Sequence, residues 1–497
     1  MSRRLMGPVF VAVAALSLAA CGSTLEPRGV ATSGSQVQVI QGAGTPTSAT
    51  GPSVVTTTSA PGTTPSSVDV LPTDGATPTI ATSGEPTTGG STSSAPTVSD
   101  HTPITVGIPY IDAATSSSVL SGIGKGLASA DTLKVTELEI TRINKAGGLS
   151  GHPIKPYFYD INPNTPQATY EQGTCDQFTQ DHPVQIDMDP GMSLNFQRCA
   201  LSGGIAGIID TGVPGLTSAD LASLPGLVYP DGISLDRLAK IEVQRLVATH
   251  WFQPGAKIGI LYEESAPYIT AEKDLESDLA ANHIAVKDRI AMHPVASTSD
   301  LTTLLTQAQG ADLRFRTEGV TNMMFVETNA FLSGFFGLEA GPQGYYPKYA
   351  FTSDEPLGNV DANVSARELE GAQFVGWVPS EDVPDTSDIP AGGKACMTYM
   401  HQHGQPMSTP NEIAGSIAIC EQFDYLAAVV AKIPAGQALT RSTFVAATHA
   451  VGSSFKSDNA LSVNTSSRSD GADAIRMGAY DEGCKCFKYT SGPQPIG

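Results

Sequence analysis

INKAGGLSGHPIKPYFYD, residues 143–160, carries a change of chain period. Just upstream, Leu133, Thr136, Ile140 and Ile143 recur at steps of three and four, the spacing of an amphipathic helix, although Val135 and Leu138 blur that face. Gly147 and Gly148 are stop residues, because glycine accepts the left-handed cap conformation. After a short turn, Ile154 to Asp160 reads as a strand. The stretch is therefore a helix end, a turn and the next strand of an αβ unit.

Outward from it the alternation repeats. ITVGIPY (104–110) precedes the helix as a strand. HPVQIDMD, a helix near 193–202, GIAGIID, a helix, GLVYP and the helix DRLAKIEVQRLVATHW follow. A second run starts at KIGILYE (257–263) and continues through IAVKDRIAM, the helix STSDLTTLLTQAQ, NMMFVE, a helix, KYAFTS and AQFVGWV. Strands alternating with helices predict parallel sheets, and two runs predict two doubly wound, Rossmann-like α/β lobes. Ligands of such sheets sit beyond the C-terminal strand ends, so two lobes facing there enclose an interlobe cleft.

The 497 residues exceed one ordinary domain, and 49 acidic against 28 basic side chains give a formal charge of −21. That balance speaks against nucleic acid or anionic lipid surfaces as partners, which need clustered Lys and Arg. Arg3 and Arg4 precede an apolar run from Leu5 to Ala20, too short for a membrane span and suited to a secretion signal. Its end, Leu18-Ala19-Ala20-Cys21, resembles the lipobox of bacterial lipoproteins, which implies lipidation at Cys21 within a 1–21 signal segment. Residues 22–103 are rich in Thr, Ser, Pro and Gly and cannot bury a core. They are expected to be a disordered tether with an r.m.s. span on the order of 50 Å. Six further cysteines in an exported chain suggest disulfides, for which 15 pairings exist. Sequence neighbours are the expected partners: Cys175 with Cys199 and Cys396 with Cys420. Cys484 and Cys486 either form a tight bridge or pair elsewhere.

INKAGGLSGHPIKPYFYDINPN, KIGILYEESAPY, GADLRFRTEGVTNMMFVE and QGYYPKYAFTSDEPLGN resemble segments of type I periplasmic binding proteins. These are the Leu/Ile/Val-binding-like solute receptors of ABC importers. The tail RSDGADAIRMGAYDEGCKCFKYTSG resembles those of actinobacterial members. The resemblance runs in order over nearly all of 104–497. It implies crossovers near Pro230, Gln373 and Ser467, hence a first lobe of 104–230 plus 373–466 and a second of 231–372 plus 467–497. It further implies a lipid-anchored protein on the outer face of the cytoplasmic membrane. This protein captures an amino-acid-like or other small polar solute for an ABC permease, without catalysis, cofactor or metal. A sensory receptor on the same fold, or an envelope protein with a vestigial cleft, are the alternatives.

Polar residues just past the strands are the ligand candidates: Tyr110, Asp112, Ser193 and Thr211 in the first lobe. In the second they are Glu263, Glu264, Ser265, Tyr268, Glu327, Asn329, Asp354 and Glu355. By resemblance Tyr268 falls at a cleft tyrosine, and Glu355 where branched-chain amino-acid binders carry the acid that pairs with the ammonium. Ser193 and Thr211 are the nearest matches to the hydroxyls that hold the carboxylate, although DPGMS departs from the serine-rich loop of those binders. These loops hold almost no Arg or Lys, which disfavours strongly anionic ligands. Gly122-Ile-Gly-Lys-Gly lacks the dinucleotide spacing and reads as loop. His401-x-His403 lacks a third ligand, and GYYPKY reads as strand-entry packing.

Overall fold

The computed structural model describes residues 101–115, 130–189, 191–209 and 215–496. The signal segment, Cys21, residues 22–100, the Gly122 loop and Thr211 lie outside the described residues.

The opening unit forms the helix Thr132–Lys145 and the strand Ile154–Asp160, with the Asp131 side chain capping the helix by accepting from the Lys134 N–H. Its core face is Val135, Thr136, Glu139, Ile140 and Ile143. Leu133, expected on that face, is only half-buried, and Val135 takes its place against the sheet. Gly148 has φ +79°, and a Cβ there would lie 2.3 Å from the His152 carbonyl oxygen. Both the backbone angle and the crowding demand glycine.

The first sheet holds β1 (Ile104–Tyr110), β2 (Ile154–Asp160), β3 (Ile186–Asp189), β4 (Ala206–Ile209) and β5 (Leu227–Val228). Its order is β2-β1-β3-β4-β5, all parallel. The second holds β6 (Ile258–Glu263), β7 (Val286–Met292), β8 (Asn322–Val326), β9 (Lys348–Thr352) and β10 (Gln373–Gly376), paired in parallel. β11 (Ala474–Asp481) and β12 (Cys486–Tyr489) add an antiparallel hairpin at its edge, giving the order β12-β11-β10-β9-β8-β6-β7. β13 (Gln494–Pro495) pairs with β11. The sheet is therefore mixed, where the alternation predicts a parallel one.

Gln373 was expected to begin the return to the first lobe, but β10 lies beside β9 in the second sheet. The passage comes after Gly376, where the Trp377 indole N–H donates to the Asp231 carbonyl (2.9 Å) and the Trp377 carbonyl accepts from the Leu461 N–H (2.9 Å). Tyr229 exchanges backbone hydrogen bonds with Ser469 and Gly471, each 2.7 Å. The passages near 230, 377 and 470 are thus bonded to one another.

The helix Pro410–Val430 is apolar and long enough to match a membrane span by composition, yet it is the main core helix of the first lobe. It buries Ile417, Phe423 and Leu426, and the Gln422 carboxamide donates to the β4 carbonyl of Ile208. Cys396–Cys420 ties it to the helix Ala391–Gln402 (Cα–Cα 6.3 Å). Cys175–Cys199 joins the helices Gln167–Asp176 and Leu194–Ser202 (6.2 Å), and Cys484–Cys486 spans the β11–β12 turn (5.3 Å). The second lobe has its own aromatic core, including Phe325, Phe351, Phe374 and Phe487.

Candidate functional site: the cleft between the lobes

Beyond the ends of β1 and β3 lies a cavity of about 300 Å³ bordered by Tyr110, Ile111, Thr132, Tyr170, Met192 and Phe423. A second, of about 250 Å³, lies between the lobes. Asn329, Phe331, Phe335, Leu338 and Asn359 border it on the second lobe, Glu381 on the crossover, and Asn411 on the 410–430 helix. Gly415 borders both cavities, so they adjoin at the first turns of that helix. Among the described lining residues there is no Lys, Arg or His.

The lobes touch around these cavities. The buried Tyr268 hydroxyl accepts from the Gly215 N–H of the first lobe (3.1 Å) and shares a hydrogen bond with Thr328 of the second (2.6 Å). On another side the Gln167 N–H donates to the Ala296 carbonyl (3.1 Å), and the Thr298 hydroxyl donates to Asn164 (2.9 Å).

The candidates divide by what already holds them. Tyr110 lines the first cavity, edge-on to Phe158, with its hydroxyl pushed up by burial and then by Asp160. Asn329 lines the second, its side-chain oxygen accepting from the Phe331 N–H (3.1 Å). Tyr268 is an interlobe link and borders neither cavity. Ser193 caps the 194–202 helix and gives its N–H and hydroxyl to Glu171 (2.7 and 2.5 Å). Asp112 accepts from the N–H groups of Ala114 and Thr115 in its own loop.

Glu355 does not reach either cavity. It is buried, and one carboxyl oxygen accepts from the N–H and hydroxyl of Thr352 (2.6 and 2.8 Å), closing the loop after β9. Glu327 likewise caps the helix Phe331–Ala340, accepting from the N–H groups of Leu332 and Ser333, both 2.7 Å. Burial pushes Glu327 up to about 7 and Glu242, on the helix Leu235–Ala248, up to about 8. Asp354 and Glu355 are raised as well, first by burial, then by other acids: Asp382 for Asp354, and Glu327, Glu242 and Asp354 for Glu355. Glu355 is thus engaged in closing its own loop rather than lining a cavity.

Glu381, Asn359, Phe331 and Phe335 were not among the sequence candidates. Glu381 follows β10, so placing β10 in the second lobe puts the next loop among the strand-end positions that bind ligands. Its neighbour Asp382 belongs to the crossover instead. It accepts from Ser353, the Val378 N–H and Tyr489 at 2.8, 3.1 and 2.5 Å, and burial lifts it to about 7.

No family model matches the sequence, and no curated protein matches it. Solved structures do match. One is a possible leucine/isoleucine/valine-binding protein from Rhodopirellula baltica, 13% identical at TM-score 0.57, covering 80% of this chain and 98% of that one. A fatty acid ABC transporter substrate-binding protein from Thermomonospora curvata is 14% identical at TM-score 0.55, covering 80% and 93%. A solute-binding protein of an ABC transporter from R. palustris, in complex with 4-hydroxybenzoate, is 13% identical at TM-score 0.57, covering 79% and 97%. With two doubly wound lobes, bonded crossovers and a cleft at the strand ends, the chain has the fold of the type I periplasmic binding proteins, the Leu/Ile/Val-binding-like architecture.

Proposed function

We propose that this chain is an extracytoplasmic solute-binding protein that captures a small molecule in the interlobe cleft and presents it to an ABC permease. The reading rests on one observation: the cavities that adjoin at Gly415 lie where both lobes converge, near a Tyr268 link that joins the lobes. A ligand touching both lobes favours the closed arrangement by its differential affinity, which is how such a protein reports occupancy. The similar structures named for fatty acid and 4-hydroxybenzoate support a small-molecule role and a range of ligands on this fold. The signal-like start and Cys21 favour attachment at the outer membrane face through a lipid, with residues 22–103 as spacer.

A thermal-shift screen of the full chain against amino acids, amines, amides, aromatic acids and fatty acids tests capture. A ligand at 100 times its Kd adds about 2.7 kcal/mol to stability. Small-angle scattering should then show compaction with the same compound. Stabilisation without compaction would sink the lobe-closure mechanism, and no stabilisation across the panel would count against solute capture. Anchoring is tested by Cys21→Ala, which should move the protein from the membrane fraction to the medium.

A further inference from the structure

We propose that the Cys484–Cys486 pair is a thiol–disulfide exchange site, open to accessible thiols and above all to dithiols. It stands apart from solute capture: the pair spans the β11–β12 turn at the edge of the second sheet, and neither residue lines the cleft cavities.

The three disulfides sit in different surroundings. Cys175–Cys199 and Cys396–Cys420 each close a separation of 24 residues and join separate helices. Cys175, Cys396 and Cys420 are 1, 6 and 1% exposed. Bonds so placed are shielded from an attacking thiolate, and a long closed loop gains most from the link. Cys484, by contrast, is exposed and Cys486 half-buried, and their bond encloses a single residue, Lys485. So short a ring removes little freedom from the unfolded chain.

The turn is closed without the sulfurs. The Asp481 carboxylate accepts from the N–H groups of Gly483 (2.8 Å) and Cys484 (3.0 Å). The Lys485 N–H donates to the Asp481 carbonyl (2.8 Å), and Asp481 pairs with Cys486 in the β11–β12 ladder. Between the two cysteines Lys485 has φ +56°, in the left-handed region that is costly for a side chain. Exposed or strained disulfides are the labile ones. The surroundings also suit a departing thiolate, which a neighbouring cation favours. Lys485 is exposed beside both sulfurs' residues. Of the turn's two acids, Asp481 is engaged by Lys488 (3.5 Å) and the two N–H groups, and Glu482 is exposed to solvent.

The reaction balances as an exchange. A substrate thiolate attacks the Sγ of Cys484, the more exposed residue, and the electron pair of the Sγ–Sγ bond leaves on Cys486, which takes a proton. The second substrate thiolate attacks the substrate sulfur of the mixed disulfide and expels Cys484, which is protonated in turn. The dithiol becomes a disulfide by losing two electrons and two protons, and the cysteine pair gains both.

The test equilibrates the full chain in glutathione buffers of increasing reducing strength, then alkylates free thiols and maps them by peptide mass spectrometry. Cys484 and Cys486 should be labelled together at a ratio of squared reduced to oxidised glutathione roughly a hundredfold lower than the four helix-joining cysteines require. One equivalent of dithiothreitol should reduce this pair alone and leave the melting temperature unchanged. The double variant Cys484→Ser with Cys486→Ser should melt at the parent temperature and lose the reaction. Reduction of all six cysteines at one poise overturns the proposal. So does a melting temperature lowered in that variant as far as in Cys175→Ser with Cys199→Ser, which would make the bond a structural clip.

Discussion

Behind β9, Glu242, Glu327, Asp354 and Glu355 are buried, and the charges that raise them are other acids. On the crossover after β10, Glu381 is half-buried and lines a cavity. Both regions are acidic, yet they do different work. The first group is raised by burial, and Glu327 and Glu355 are tied to neighbouring N–H and hydroxyl groups, so it shapes loops and makes stability depend on pH. The second borders a cavity between the lobes. An acid near a strand end is thus informative about binding only once its local hydrogen bonds are known.

The largest test of this contrast is pH. Glu242 has a folded pKa of about 8, above the ordinary glutamate value of about 4.3. The stability it contributes is full below the unfolded value and is lost as pH rises through the folded one. Melting temperature should therefore fall between pH 5 and pH 8. Glu242→Met should lessen that slope, to which the raised Glu327 and Asp382 also contribute, and add about 3 kcal/mol at pH 8. An unchanged slope in the variant would mean that Glu242 does not titrate in this window.

Next comes Glu355→Ala, which strands the Thr352 N–H and hydroxyl in a buried loop and should cost about 2 kcal/mol, read by denaturant unfolding. Ligand affinity measured on the folded protein should stay the same. The reverse pattern, intact stability with lost binding, would restore Glu355 as a ligand residue and erase the contrast.

Tyr268→Phe removes the hydroxyl that joins Gly215 to Thr328 and should cost the closed arrangement about 1 kcal/mol. The radius of gyration of the ligand-free protein should rise. If it does not, other contacts such as Thr298 with Asn164 hold the lobes together. Gly334→Ala should stabilise by about 0.5–1 kcal/mol, because glycine within a helix is costly and the space is open. Smallest is Glu381→Gln, expected within about 0.5 kcal/mol of the parent in stability. A larger loss would place Glu381 with the structural acids.

Much of the fold is legible along the chain because it is written in short-range terms. The steps of Ile140 and Ile143, the paired glycines and the apolar strands need only local periodicity and backbone freedom. The sequence also places Tyr110 and Asn329 past strand ends, where both border cavities. The alternation puts AQFVGWV, and so β10, in the second run, whereas the crossover near Gln373 that the resemblance implies falls a few residues early; the β11–β12 hairpin goes unread, since where a short strand pairs is decided by partners far along the chain.

By itself, then, the sequence determined the alternating α/β lobes, the acidic balance and the signal-like start, all properties of composition and local pattern. Only the tertiary structure decided which carboxylates border the cleft. Glu355 and Glu381 are the same residue type beside similar strands, but burial and the hydrogen bonds from Thr352 absorb the first and leave the second lining a cavity. Desolvation and hydrogen-bond saturation depend on what surrounds a side chain in space, and that is not written in its neighbours along the chain.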